Sequence, residues 1–198
     1  MTDYQSKIYG LVLSGGKSTR MGNDKGLIDY HGIPQREHLY NLLNEVCDKT
    51  FLSVRDEQKD KLTENFDCIV DENKYRGPLD GILSAHAKHP NVAWLVLACD
   101  LPLINAKSIT ALIAKRDITK VATSYATKES NLPEPLVAIW EPAGLEKAIS
   151  YMKTAGSSCP RKFLINSDAK LVHPEQDVVL HNANSLEEYE FALSKINK

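Results

Sequence analysis

Short apolar runs alternate along this chain with longer amphipathic stretches, and that rhythm limits the fold more than any other feature. Residues 8–13 (IYGLVL) and 93–98 (AWLVLA) read as buried strands. Residues 51–54, 68–70, 121–125, 136–140 and 178–180 are further candidates. Each is bounded by polar or turn residues, as internal strands are. Between them, Leu39, Leu42, Leu43 and Val46 step round one helical face. Ile109, Leu112 and Ile113 do the same after Asn105, a helix N-cap residue. Ser185-Leu186-Glu187-Glu188 is a capping box that opens a last helix with Leu186, Tyr189, Leu193 and Ile196 on one side. Strand and helix in alternation predict an α/β three-layer sandwich with a mostly parallel sheet. Such sheets bind ligands at the carboxyl ends of their strands, so the residues just after each strand matter most.

A chain of 198 residues suits one domain, and no repeat, low-complexity tract or long linker divides it. Residues 127–135 read as a loop too short to separate domains, so a single domain over 1–198 is expected. Lys plus Arg total 24 against 26 for Asp plus Glu, a formal net charge of -2. That balance argues against nucleic-acid or membrane-surface binding. No apolar run approaches the roughly 18–20 residues that span a bilayer, and the polar first residues carry no signal-peptide pattern. Cys47, Cys68, Cys99 and Cys159 form no C-x-x-C pair and read as reduced thiols of a cytoplasmic protein. His86 and His89, on one expected helix, read as a solvated face rather than as metal ligands.

The first strand runs into SGGKSTRMGNDKG, residues 14–26. Adjacent glycines let backbone N–H groups close on an anionic ligand, as in phosphate cradles. Lys17, Arg20 and Lys25 follow, and a polyphosphate needs several cations. The string is not a Walker A loop, because Leu11 stands where that motif requires Gly, and it is not G-x-G-x-x-G. Asp100 ends the run LVLACD at the face expected to hold the ligand, and Pro102 stops the strand. A carboxylate there either ligates Mg²⁺ beside bound phosphates or caps the following turn. Asp71 ends another run and opens DENKYRGPLDG. It either accepts from the ring N–H groups of a base or belongs to a plain turn before a helix. Within His181-Asn182-Ala183-Asn184-Ser185, an amide oxygen either completes a metal shell or caps the last helix.

The strings L-x-G-G-x-S-x-R-M-G-x-x-K, G-P-L-x-G, C-D-x-P and N-x-N stand in this order from Leu13 to Glu188. Together they resemble the molybdenum cofactor guanylyltransferase family, within the wider group of nucleotidyltransferases that join an NTP to a phosphate. The resemblance implies a Rossmann-like α/β/α fold, GTP as nucleotide, Mg²⁺ as cofactor and molybdopterin (the molybdenum cofactor) as acceptor. Proteins that deliver or receive the cofactor would be further partners. By the same resemblance, Leu13, Ser14 and Gly15 line the base and ribose, with Gly15 and Gly16 near the phosphates. Arg20 and Lys25 hold the phosphates, Asp71 the guanine and Asp100 the Mg²⁺, with Asn184 a second contributor. Ser53 stands where the family often has a longer Asn, so its contact with the nucleotide is less direct. Glu134 replaces the family's usual His, and it would repel a phosphate-bearing acceptor unless paired, for instance with Lys128 or Arg161. Pro160 is unexpected in its segment.

The implied reaction is attack of a terminal acceptor phosphate on the α-phosphorus of GTP, with Arg20, Lys25 and Asp100 as the catalytic group. A phosphate nucleophile is already ionised, so no general base is needed. The rivals are a molybdopterin cytidylyltransferase, a sugar-phosphate nucleotidyltransferase, and a nucleotide-binding module without turnover.

Overall fold

The computed structural model describes residues 7–16, 24–60, 62 and 65–197. Along them run β1 (Ile8–Leu13), α1 (Gln35–Asn44), β2 (Lys49–Val54), α2 (Asp56–Lys59), β3 (Cys68–Val70), α3 (Pro78–Lys88) and β4 (Ala93–Ala98). Then follow α4 (Ala106–Ala114), β5 (Ala122–Ala126), β6 (Pro133–Trp140), α5 (Pro142–Ala155), α6 (Pro160–Ile165), β7 (Lys170–Val172) and α7 (Leu186–Ile196). The strands form one sheet in the order β3-β2-β1-β4-β6-β5-β7. Neighbours pair in parallel except at β6, which runs against both β4 and β5.

Successive strand residues feed two separate cores, which makes three layers. Val12, Leu52, Leu95 and Leu97 pack with Leu39 and Leu43 of α1 and Ile109 and Leu112 of α4. Leu11, Phe51, Trp94 and Val96 pack with Leu79 and Ile82 of α3, Leu145 of α5 and Phe163 of α6. Burying a side chain of this size contributes roughly 1.5–3 kcal/mol, and a slip of one residue would exchange the two cores. Helix α7 belongs to a third cluster. Ala192, Tyr189, Leu193 and Ile196 meet Tyr30, Ile28 and Leu103, which brings the segment before α7 against the segment after the glycines. Leu186, expected on the same apolar side, is 66% exposed, because it opens the helix ahead of that contact.

Other local expectations change for physical reasons. Residues 178–180 are not a strand but part of a 3-10 turn, Asp177–Leu180. The edge place beside β5 is taken by β7, whose lysine hides the strand signal, and Val179 and Leu180 bury into the core instead. Strand β6 begins at Pro133, so the loop expected over residues 127–135 is shorter. Its prolines are tolerated because pairing with β5 is irregular, jumping from Ser124↔Ala138 to Tyr125↔Glu134. The solvated face expected for His86 and His89 is absent, since α3 lies on the sheet. His86 is 5% exposed, and His89 sits among the rings of Tyr9, Phe51 and Trp94. The four cysteines are free. Among the described residues no helix is long and apolar enough to cross a membrane.

Candidate active site

Strands β1, β2, β3 and β4 run parallel, so the residues that follow them meet at one edge of the sheet. A cavity of about 590 Å³ opens there, lined by Leu13, Ser14, Gly15, Gly16, Lys25, Ser53, Asp71, Asp100 and Asn184. These are all the expected site residues except Arg20, which with the expected cation Lys17 lies outside the described residues. Asp24, Arg55, Tyr75, Asp80 and Leu136 join them.

At the β1 end the Ser14 N–H donates to the Ser53 carbonyl at 2.9 Å, which fixes where the chain leaves the sheet. Asp71 stands opposite. Its N–H donates to the Val54 carbonyl at 2.8 Å, and the Ser53 hydroxyl donates to its Oδ1 at 2.6 Å. Ser53 is buried, so it serves the site through Asp71. The carboxylate lies in a slot that only glycines leave open. A Cβ on Gly15 would fall 2.4 Å from Asp71 Oδ2, and one on Gly81 2.3 Å from Ser53 Oγ. Burial pushes the Asp71 carboxyl up to about 6, and the nearby Asp80 carboxylate adds to this. The Ser53 hydrogen bond and the Arg55 charge work against the rise.

Asp80, on the first turn of α3, builds the rest of that wall. It is buried, and its carboxylate accepts from the N–H groups of Asn73 at 3.0 Å and Tyr75 at 2.8 Å. The turn it holds places Asn73 at φ 56 and Gly77 at φ 72. Pro78 then starts α3 at the first helical position, where its missing N–H costs nothing.

Asp100 follows β4, and its carbonyl accepts from the Ala183 N–H at 2.8 Å, which docks the segment before α7 onto the strand end. Beside it the Lys25 ammonium donates to Asn184 Oδ1. Burial raises the Asp100 carboxyl above the usual range, and the Lys25 charge partly offsets this. The Asp100 Oδ1 atom is buried with no hydrogen-bond partner. A buried carboxylate oxygen without a partner is costly unless a cation meets it, and a hard oxygen donor suits Mg²⁺. Among the described residues no three of His, Cys, Asp and Glu gather into a metal cluster, so the remaining ligands would come from phosphate and water. The Asn184 oxygen is taken up by Lys25. An ammonium and a divalent cation on one oxygen repel, so Asn184 serves one or the other. Cys99, next to Asp100, is no nucleophile, because burial pushes its thiol up to about 12.

A second groove adjoins the cavity through Gly77, Pro78 and Leu136, and continues along residues 156–161 and Arg76. On its flank Arg161 donates to the Glu134 carboxylate at 2.6 Å and to the Pro133 carbonyl at 3.0 Å. The pairing required of Glu134 is thus made by Arg161. Lys128 instead donates to the Glu175 carbonyl.

Residues 10–170 match the family described as the MobA-like NTP transferase domain. The chain belongs to that family. It is 40% identical over 186 residues to the molybdenum cofactor biosynthesis bifunctional protein of Synechocystis, 93% of this chain but 53% of that one, so it spans about half of that relative. It is 30% identical over 181 residues to the molybdenum cofactor guanylyltransferase of Pseudomonas fluorescens, covering 89% of each chain. Molybdopterin-guanine dinucleotide biosynthesis protein A from Archaeoglobus fulgidus shares the fold, with a TM-score of 0.77 at 20% identity over 96% of this chain and 98% of that one. In this MobA-like chain, Asp24, Arg55 and Asp80 are site residues that sequence reading misses. Only Asp80 carries a signal, being a carboxylate one residue before a glycine at a helix start.

Proposed function

We propose that this chain is a single nucleotidyltransferase domain of the cytoplasm that transfers GMP from GTP to the terminal phosphate of molybdopterin and releases pyrophosphate. The observation that carries the reading is the Asp71 slot. A half-buried carboxylate, aimed by Ser53 between Gly15 and Gly81, shares one cavity with Lys25 and Asp100. Its ionised form can accept together from N1–H and N2–H₂ of guanine, a pairing that adenine and cytosine do not offer.

Gly15 and Gly16, after β1, would offer backbone N–H groups to the phosphates, the Ser14 N–H being held by the Ser53 carbonyl, and Lys25, which lines the same cavity, would add a positive charge. Charge placed in advance where it develops during transfer is the main source of rate in such a site. Both substrates held in line supply the rest. Asp100 would hold Mg²⁺, which neutralises phosphate charge when bound. The acceptor lies in the adjoining groove, where the Arg161 pairing keeps the Glu134 charge from repelling its phosphate.

The test is a panel of the four NTPs with and without molybdopterin, followed by pyrophosphate release. Release with GTP and molybdopterin alone is the expected result. Turnover with CTP instead, or with a sugar phosphate, selects a rival. Binding without any release makes the chain a non-catalytic module.

A further inference from the structure

Gln58 is a buried side chain that the reaction above does not use, and it touches both ends of the glycine-rich segment. It lies on α2 and is 5% exposed. Its Nε2 donates to the Ser14 carbonyl at 3.1 Å and to Asp24 Oδ2 at 2.8 Å. Its Oε1 accepts from the Arg55 N–H at 2.9 Å. Both amide donors and the oxygen are therefore engaged. Ser14 is where the segment leaves β1. Asp24 stands at its other end, its other oxygen accepting from the Gly26 N–H at 3.0 Å to cap the 3-10 turn Lys25–Leu27. Ser14, Asp24 and Arg55 all line the nucleotide cavity, and Gln58 stands behind them.

We infer that Gln58 is a positioning residue that clamps the two ends of the phosphate-binding segment and so sets where its N–H groups and Lys25 stand. The inference rests on the nucleotidyl-transfer reading. One planar amide bonded to both ends fixes their separation, which a purely apolar contact would leave free to slide. Holding the ends in advance also removes an ordering cost that nucleotide binding would otherwise bear.

Gln58→Met keeps the volume and removes the bonds. Titrations with GTP, inorganic tripolyphosphate and guanosine separate phosphate from base recognition. Affinity for GTP and tripolyphosphate should each fall about tenfold, the scale of one lost buried hydrogen bond, while guanosine binding is unchanged. KM for GTP should rise more than kcat falls. Adding Asp24→Ala should cost less than its effect in the wild type, because both changes remove one shared contact. Unchanged tripolyphosphate affinity, equal loss of guanosine, or full additivity overturns the clamp. If Gln58→Met does not fold, Gln58→Glu must give the same phosphate-selective loss, and its absence overturns the clamp equally. Wild-type protein that binds no NTP overturns the nucleotidyl-transfer reading, and the clamp with it.

Discussion

The Lys25 ammonium donates to the side-chain oxygen of Asn184, tying together two segments 159 positions apart. Replacing Lys25 by Ala removes a cation from the phosphates and should lower turnover by about 10² or more, the scale of one positioned electrostatic donor. Asn184→Ala frees the ammonium without removing it and should cost less. The double variant should be no slower than Lys25→Ala if the amide acts through the lysine. An Asn184→Ala protein that instead needs more Mg²⁺ would assign the amide to the metal. Steady-state pyrophosphate release with a Mg²⁺ titration reads both outcomes.

The guanine contact proposed for Asp71 makes base recognition depend on pH. Its carboxyl titrates at about 6 against an ordinary 3.8. Between those values the folded chain keeps a proton that the unfolded chain has lost, so this group's contribution to stability declines as pH rises through the window. Guanine needs the ionised form and runs the other way. GTP affinity should rise with pH up to about 6 and flatten above, by about tenfold per unit below it if one proton is released. Titrations of wild type and Asp71→Asn from about pH 5 to 7 test this. The variant should lose both the step and the preference for GTP over ATP, and a step that survives in it would assign the titration elsewhere.

Asp100→Asn keeps the shape and removes one charge from a buried position. Mg²⁺ should bind more weakly and turnover should fall steeply, with partial recovery at higher Mg²⁺ by mass action. Nucleotide affinity without metal should change little. Normal activity with an unshifted Mg²⁺ dependence would make Asp100 a turn cap.

On the acceptor side, Arg161→Ala strips Glu134 of its partner. The acceptor's KM should rise a few-fold, the scale of a partly exposed pair, while the KM for GTP stays put. Glu134→Gln should offset the loss in the double variant. Equal changes in both KM values would point to a general loss of shape.

The part of this site proposed for the nucleotide is readable because its signals are local. Gly15, Gly16, Asp71 and Asp100 each follow an apolar run, and a parallel sheet gathers such positions at one edge. Gln58 and Asp80 are less readable. Asp80 has only the glycine after it as a signal, and Gln58 has none, because its partners Ser14 and Asp24 lie far away in the sequence and nothing nearby separates it from a solvated helix residue. The reversal of β6 is equally hidden, since alternation of apolar residues marks a strand without its direction. Residues 178–180 show the converse, an apolar triplet that fills the core as a turn because the strand place beside β5 is taken.

The reversed strand also shapes how such a chain diversifies. Because β6 runs against β4, it brings its beginning to the ligand edge, and β5 and β6 meet there in a hairpin whose connection covers residues 127–132. The residues proposed to grip the nucleotide follow β1, β3 and β4, where the chain crosses between parallel strands under helices packed on the sheet. The groove proposed for the acceptor is walled instead by the start of β6 and by residues 156–161, which run from the end of α5 into α6. Surface connections tolerate change, so a chain of this fold can alter its acceptor wall between α5 and α6, against the fixed start of the reversed strand, while keeping the residues at the ends of β1, β3 and β4.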